Sequence, residues 1–361
     1  MLEKSTVWGV KTGACRVNGG MLRALDELMD AAGLGQLFQH GDSVGIKVSI
    51  GQKGNIKYLR PVFVRAIVEK VRQLGGKPVV LDTVGLVGGA VKGPNDWFNT
   101  ATLNGITKAV LGNDLIPADG YTGDEGELLP LEGDELGGVE VARGVTDTAA
   151  MIVISHVTGH PHYGINGALI NKGVGCTNQK GKWRIYNPLK PQVDAAKCNN
   201  CGACLDLCPF GAIRAREGSS RVREKLCKGC THYCLEFCPT GALQVADDSG
   251  IRFQKRVVEA ATAVNVAALG KLFYLNFLLD VSRYPDHYNI HDQDLTPDLG
   301  ILGAKDPVAI DQASLDFINE NIPPGQPGLE TIYGIDPAYP IKYAEEFGLG
   351  RRDYNLDLIG D

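Results

Sequence analysis

The chain has 361 residues, more than one small domain needs and enough for a large domain plus a smaller one. Apolar residues make up 44% and the formal charge is −6, which supplies a core and argues against nucleic-acid binding. No basic region followed by an apolar run opens the chain, and no apolar stretch approaches the ~18 residues of a membrane span, so a cytoplasmic chain without signal peptide or transmembrane helix is expected.

Ser5–Lys11 reads as a short strand, and Gly20–Ala32 spaces Met21, Leu22, Leu25, Leu28 and Met29 at a helical period. Asp42 opens a second strand, Ser43–Ile50. Arg60–Leu74 is an amphipathic helix that Gly75 and Gly76 end, and Lys77–Leu81 is a third strand. This alternation predicts an α/β domain with a mainly parallel sheet. Val84–Gly144 reads as Gly-rich and irregular. Between Asp114 and Glu140 it holds nine acids and no Lys or Arg, which reads as a solvated excursion rather than a docking surface. Ala149–Ser155 is almost wholly apolar, as a central parallel strand should be.

Eight of the ten cysteines then fall between Cys198 and Cys238. The first run is Cys198-x-x-Cys201-x-x-Cys204-x-x-x-Cys208-Pro209. The second is Cys227-x-x-Cys230-x-x-x-Cys234-x-x-x-Cys238-Pro239. The first run has the spacing of bacterial two-cluster ferredoxins, in which the fourth Cys ligates the other cluster. One cluster would therefore take Cys198, Cys201, Cys204 and Cys238, and the other Cys227, Cys230, Cys234 and Cys208. Cys208-Pro-Phe-Gly-Ala-Ile returns as Cys238-Pro-Thr-Gly-Ala-Leu, the mark of a doubled unit about thirty residues long. Zinc sites usually show paired C-x-x-C knuckles, and disulfides need an oxidising compartment of which the sequence gives no sign. Two [4Fe–4S] clusters are the expected cofactors; the extra residue in the second run also admits a three-iron or labile cluster. Such clusters in a chain without a signal peptide point to the cytoplasm of an anaerobe.

After the cysteines, Arg252–Gly270 reads as a helix, Leu272–Leu279 and Gly300–Ala304 as strands, and Pro307–Asn319 as a helix. The tail holds three proline-containing loops that are expected to wrap the surface. The predicted organisation is an α/β domain over 1–190 and 248–361, interrupted by an inserted α+β ferredoxin-type domain over 191–247.

In open α/β sheets, ligands bind beyond the carboxyl ends of the strands. Polar residues gather at those predicted ends: Lys47 and Ser49, Asp82 and Thr83, Ser155 and His156, Lys305 and Asp306. The densest set is His156-Val-Thr-Gly-His160-Pro-His162-Tyr-Gly-Ile-Asn166, followed by Asn171 and Lys172. Pro161 prevents His156 and His160 from forming a helical metal pair. Imidazoles that titrate near neutrality suit proton transfer or anion binding, with structural loop histidines and a further metal site as alternatives. His156, His160, His162 and Lys172 are therefore the candidate catalytic residues. Lys47, Asp82 and Asn166 are the candidates for positioning a small-molecule substrate or cofactor. His287, His291 and Asp292 form a weaker polar set. Gly175–Lys182 resembles a phosphate loop but has five intervening residues instead of four and Trp183 where Ser or Thr should stand, so it is rejected. No G-x-G-x-x-G follows a strand. Cys15 reads as a structural thiol; so does Cys176, with a redox or ligand thiol as its alternative.

Gly51–Pro61, Gly75–Thr83, Ser155–Gly175, the cysteine run and His291–Asp316, with Asp306-Pro-Val-Ala-Ile-Asp311, together resemble the uncharacterised family catalogued as domain of unknown function 362. That resemblance implies iron–sulfur binding and redox work, and names no substrate. The expected function is single-electron transfer through two clusters, to or from a site on the α/β domain. The alternative is a non-enzymatic carrier or assembly factor that docks a partner enzyme. A redox partner protein is expected; the basic connection Arg214, Arg216, Arg221, Arg223, Lys225 would face it, opposed only by Glu217 and Glu224. Because Cys198 and Cys238 flank the insertion, their cluster is expected to sit against the α/β body and the other to lie outermost.

Overall fold

The computed structural model describes residues 4–14, 20–86, 93–230, 234–235, 237–290 and 292–360; Cys15 and His291 lie outside them. Eight strands form one sheet. They are β1 Ser5–Lys11, β2 Ser43–Lys47, β3 Lys77–Asp82, β4 Leu115–Pro117, β5 Ala150–His156, β6 Leu272–Leu278, β7 Gly300–Ala304 and β8 Tyr354–Leu358. Their order is β8-β1-β7-β6-β5-β2-β3-β4, and only β7 runs against the rest. The fold is thus mixed α/β with a mainly parallel sheet. Among the described residues no helix is long and apolar enough to cross a membrane.

Strand alternation sends side chains to two cores. On one face, Val44, Ile46, Ile152, Ile154, Leu275 and Phe277 pack on helices α1 Gly20–Ala31, α2 Pro61–Gln73 and α3 Pro94–Leu103. On the other, Met151, Val153, Tyr274 and Leu302 meet α4 Ala168–Gly173, α5 Gln179–Tyr186, α6 Ser249–Ala267 and α7 Pro307–Asn321. β5 and β6 are buried along their whole length, which is why they are apolar without alternation.

Four expectations are corrected. The stretch after Val84 is not irregular: it contains α3, β4 and an antiparallel hairpin, Gly126–Pro130 with Gly138–Ala142. Nor is its acidic run merely solvated. Glu135 pairs with Arg252 and Arg256 at 3.1 Å, and Asp134 with Lys255 at 2.9 Å, tying the run to α6. The tail does not only wrap the surface, because β8 joins the sheet edge in parallel with β1. Finally, β7 points backwards, so Lys305 and Asp306 lie at the edge opposite Lys47 and Asp82. Asp306 there caps α7, accepting from Val308 N at 2.8 Å and Ala309 N at 3.0 Å.

Residues 191–247 build a small core of their own from Cys204, Ile213 and Leu243. Gln192–Val193 pairs antiparallel with Leu243–Gln244, so the chain leaves and rejoins the α/β body at one place. A second short pair joins Ile213–Ala215 to Ser220–Val222.

Candidate functional site

β2, β3 and β5 end side by side, and a cavity of about 170 Å³ opens beyond their carboxyl ends. Lys47, Asp82, Ser155 and His156 come from the strand ends, Ser49 and Thr83 from the loops that follow, and Asn166, Asn171 and Lys182 from the chain after β5. Trp97, Tyr186, Asp286 and His287 complete the walls.

Lys47 is the pivot. It is buried, with Nζ 2.9 Å from Asp82 Oδ1, 2.9 Å from Asn171 Oδ1 and 2.7 Å from Val48 O. All three ammonium donors are therefore used. Asp82 also accepts from Ile50 N at 3.0 Å and Thr83 N at 2.8 Å, which fixes the loops after β2 and β3. Lys182 Nζ donates to Thr83 Oγ1 at 2.8 Å and to Thr177 O, leaving one donor uncommitted. Burial draws its ammonium down to about 8, although Asp119 and Asp82 pull the other way. Burial likewise raises Asp119 to about 6, opposed by Lys182 and the Val84 N–H.

His156 faces this cavity. Its Nε2 lies 2.7 Å from Leu279 O, and since a carbonyl only accepts, Nε2 carries the proton. Nδ1 is then an acceptor, buried and without a partner among the described residues. Asp286 Oδ1 accepts from Ser49 Oγ at 3.1 Å, while its Oδ2 has no partner among the described residues. Asn166 donates to His156 O at 2.9 Å, and Asn171 to Ile154 O at 2.8 Å. His156 and Asp286 thus wall one side of the cavity, and Lys182 brings its ammonium to the wall as well.

Three predicted residues do not line it. His160 is buried behind it, where its Nδ1 accepts from His162 N at 3.2 Å and Tyr163 N at 3.1 Å and so closes the turn around Pro161. Its ring stands 5.9 Å from that of His287, the residue that reaches the cavity. His162 follows it in the turn, and burial pulls its imidazole down to about 4. Lys172 is next to Asn171 on α4, and one helical step turns it from the cavity to the sheet. Its Nζ meets Tyr274 Oη at 3.0 Å, and burial lowers it to about 7. Asp311 on α7 sets this helix by accepting from Ala168 N at 2.7 Å and Leu169 N at 2.8 Å. A Cβ on Gly167 would stand 2.3 Å from Asp311 Oδ1, so glycine is needed for that approach. Cys176 is fully buried and its thiol is pushed up to about 11, as an inert thiol would be.

The eight clustered cysteines line two further small cavities, four to each. Cys198, Cys201, Cys204 and Cys238 surround one; Cys208, Cys227, Cys230 and Cys234 surround the other. This is the grouping that the spacing predicts. Among the described residues no three His, Cys, Asp or Glu side chains converge closely enough for one metal ion. No disulfide joins these cysteines, and backbone N–H groups point at several of their sulfurs, among them Ala212 N at Cys208 Sγ, 3.2 Å, and Ser220 N at Cys198 Sγ, 3.4 Å. Burial and the neighbouring Cys230, Cys227 and Cys208 push the Cys234 thiol up to about 12. A polynuclear cationic core fits such a set: it is broader than one ion and favours the thiolates.

The order of the two groups relative to the body reverses the expectation. Gly229, between Cys227 and Cys230, has φ +69°, and a Cβ there would lie 2.1 Å from Tyr186 O. Tyr186, like Lys182 on the same helix α5, also lines the main cavity, and Lys228 Nζ stands 3.9 Å above the ring of Trp183 on that helix. Both cysteine cavities have all their walls within residues 191–243, but Cys227 also lines a cleft together with Trp183 and Arg184 of α5 and Arg256 of α6. The Cys227 group is therefore the one seated on the α/β body. Chain ends do not decide this, because α5 offers the loop at Gly229 a flat backbone contact.

Residues 44–316 match the model of the family described as domain of unknown function (DUF362). The chain belongs to this family. The DUF362 match takes in the main cavity and both cysteine groups, but not β1 or β8. No protein with a curated description matches the chain. Among solved structures it is similar to the lactate racemase apoprotein from Thermoanaerobacterium thermosaccharolyticum, at 12% identity and TM-score 0.40 over 88% of this chain and 56% of that one. It is also similar to a Thermotoga maritima protein solved by a structural genomics consortium, at 8% identity and TM-score 0.36 over 74% of this chain and 51% of that one. The chain thus spans about half the length of both, and at these scores neither likeness bears on function.

Proposed function

We propose that this DUF362 protein is an iron–sulfur oxidoreductase whose residues 191–247 form a ferredoxin-type two-cluster insertion, and whose substrate binds beyond the ends of β2, β3 and β5. The observation that carries the reading is the grouping of the cysteines. Each set of four takes three from one run and one from the other, and one set abuts Tyr186 in the cavity wall. When bound, the two [4Fe–4S] clusters supply one-electron redox chemistry.

The chain's own residues do the rest. Lys47, Asp82 and Asn171 brace the loops that form the walls. Lys182 supplies a donor to an anionic or carbonyl oxygen of the substrate. His156 accepts a proton from a bound N–H or O–H at Nδ1, held in that tautomer by Leu279 O. A concave cavity with a few converging polar side chains, His156 and Lys182 among them, favours this reading over a carrier with no substrate of its own.

Anaerobically purified protein should contain about eight irons and eight acid-labile sulfides per chain, with visible charge-transfer absorption that bleaches on reduction. Stoichiometric zinc without that absorption would overturn the proposal. His156→Gln should keep the full iron content while losing turnover of whichever substrate is found.

A further inference from the structure

A second and larger cleft, about 500 Å³, lies between α5, α6 and the Cys227 loop, and Cys227 is in its wall. Six cations line it: Lys180, Arg184, Lys190, Lys225, Lys228 and Arg256. The only carboxylate among its lining residues is Glu135, already bonded by Arg252 and Arg256 at 3.1 Å. Arg184 has Glu140 at 3.3 Å. The four lysines have no carboxylate partner among the described residues. Six positive charges against one negative make +5 in a chain whose formal charge is −6, so this cleft concentrates charge against the trend of the whole surface. Leu136 and Trp183 add apolar wall among these cations.

We propose that this cleft is the docking surface for an acidic electron-carrier protein, placed so that the carrier meets the chain at Cys227. The inference rests on the reading of Cys208, Cys227, Cys230 and Cys234 as a cluster site. Long lysines without carboxylate partners, set around a small apolar wall, give the complementarity that steers and orients an acidic partner, with an affinity that falls as salt rises. Lys190 and Lys228 also act electrostatically on Cys227, but Lys180 and Lys225 are exposed and serve the surface alone. The site differs from the one the sequence suggests: Arg214 and Arg221 lie on the Ile213–Val222 hairpin, and of that basic run only Lys225 reaches the cleft.

The test is equilibrium binding of an acidic plant-type ferredoxin to the anaerobically purified protein, with a basic cytochrome c as control. The ferredoxin should bind at low salt and the cytochrome should not. Lys180→Glu combined with Lys225→Glu should weaken binding roughly tenfold or more, whereas Arg214→Glu with Arg221→Glu should change it little. Iron, sulfide and circular dichroism are measured on each preparation. Absent iron sinks the cluster reading. Full iron and intact fold with unchanged affinity in the cleft variant, with loss in the hairpin variant, or with no ferredoxin binding at all, sinks the docking surface alone. Saturable binding of inorganic pyrophosphate without ferredoxin binding would make the cleft a small-anion site and also overturn the inference.

Discussion

Lys47→Met removes one partner of a buried ion pair and leaves the other in place. The Lys47 side chain is 2% exposed and that of Asp82 11%, so water screens the pair weakly. Breaking such a pair typically costs about 3–5 kcal/mol, because the remaining charge stays buried. Here the Ile50 and Thr83 N–H groups still stabilise the Asp82 carboxylate, which argues for the lower end, about 3 kcal/mol. Asn171 Oδ1 and Val48 O also lose a donor, which adds back roughly 1 kcal/mol. Lys47→Met should therefore destabilise the protein by about 3–4 kcal/mol in anaerobic urea unfolding followed by fluorescence and circular dichroism. Adding Asp82→Asn should recover part of that loss, since the orphaned charge is then gone. Iron content should not change, because neither cysteine group contacts the pair. A single-variant effect below about 1 kcal/mol, or a double variant no more stable than Lys47→Met, would refute the view that this pair braces the cavity walls.

Lys172 and Lys182 are lowered by burial to about 7 and about 8, from 10.5. In that window the unfolded chain binds more protons than the folded one, so their contribution to stability rises with pH above about 7. Unfolding free energies measured from pH 7 to 9.5 should show this rise, and Lys172→Met should flatten it; an unchanged slope would mean that Lys172 stays charged in the fold. Gly229→Ala places a Cβ against Tyr186 O in a left-handed backbone conformation, so it should lift the Cys227–Cys230 loop from α5. Iron per chain should fall toward about half, with new protease sensitivity near Lys228, and wild-type values for both would show that the loop does not need this contact.

Local chemistry made much of this protein legible from sequence. The grouping of the cysteines follows from their spacing, since a tight loop can surround one centre with only three of them. β2, β3 and β5 were readable from apolar runs bounded by glycine and polar residues, and so were Lys47, Asp82 and His156 at their carboxyl ends. Tertiary structure alone decided the rest. Strand direction is not written in a five-residue apolar segment, so only the pairing of β7 with its neighbours shows that Lys305 and Asp306 face the far edge. Asn171 and Lys172 are adjacent in sequence, but Asp311, from α7, fixes how α4 is turned and sends one to the cavity and the other to the sheet. Lys182 gave no local signal beyond an imperfect phosphate-loop pattern, and its place in the wall depends on Thr83 and Thr177. Which cysteine group meets the body depends on the fit of Gly229 against Tyr186, 43 positions apart, a long-range contact that neither local sequence dictates.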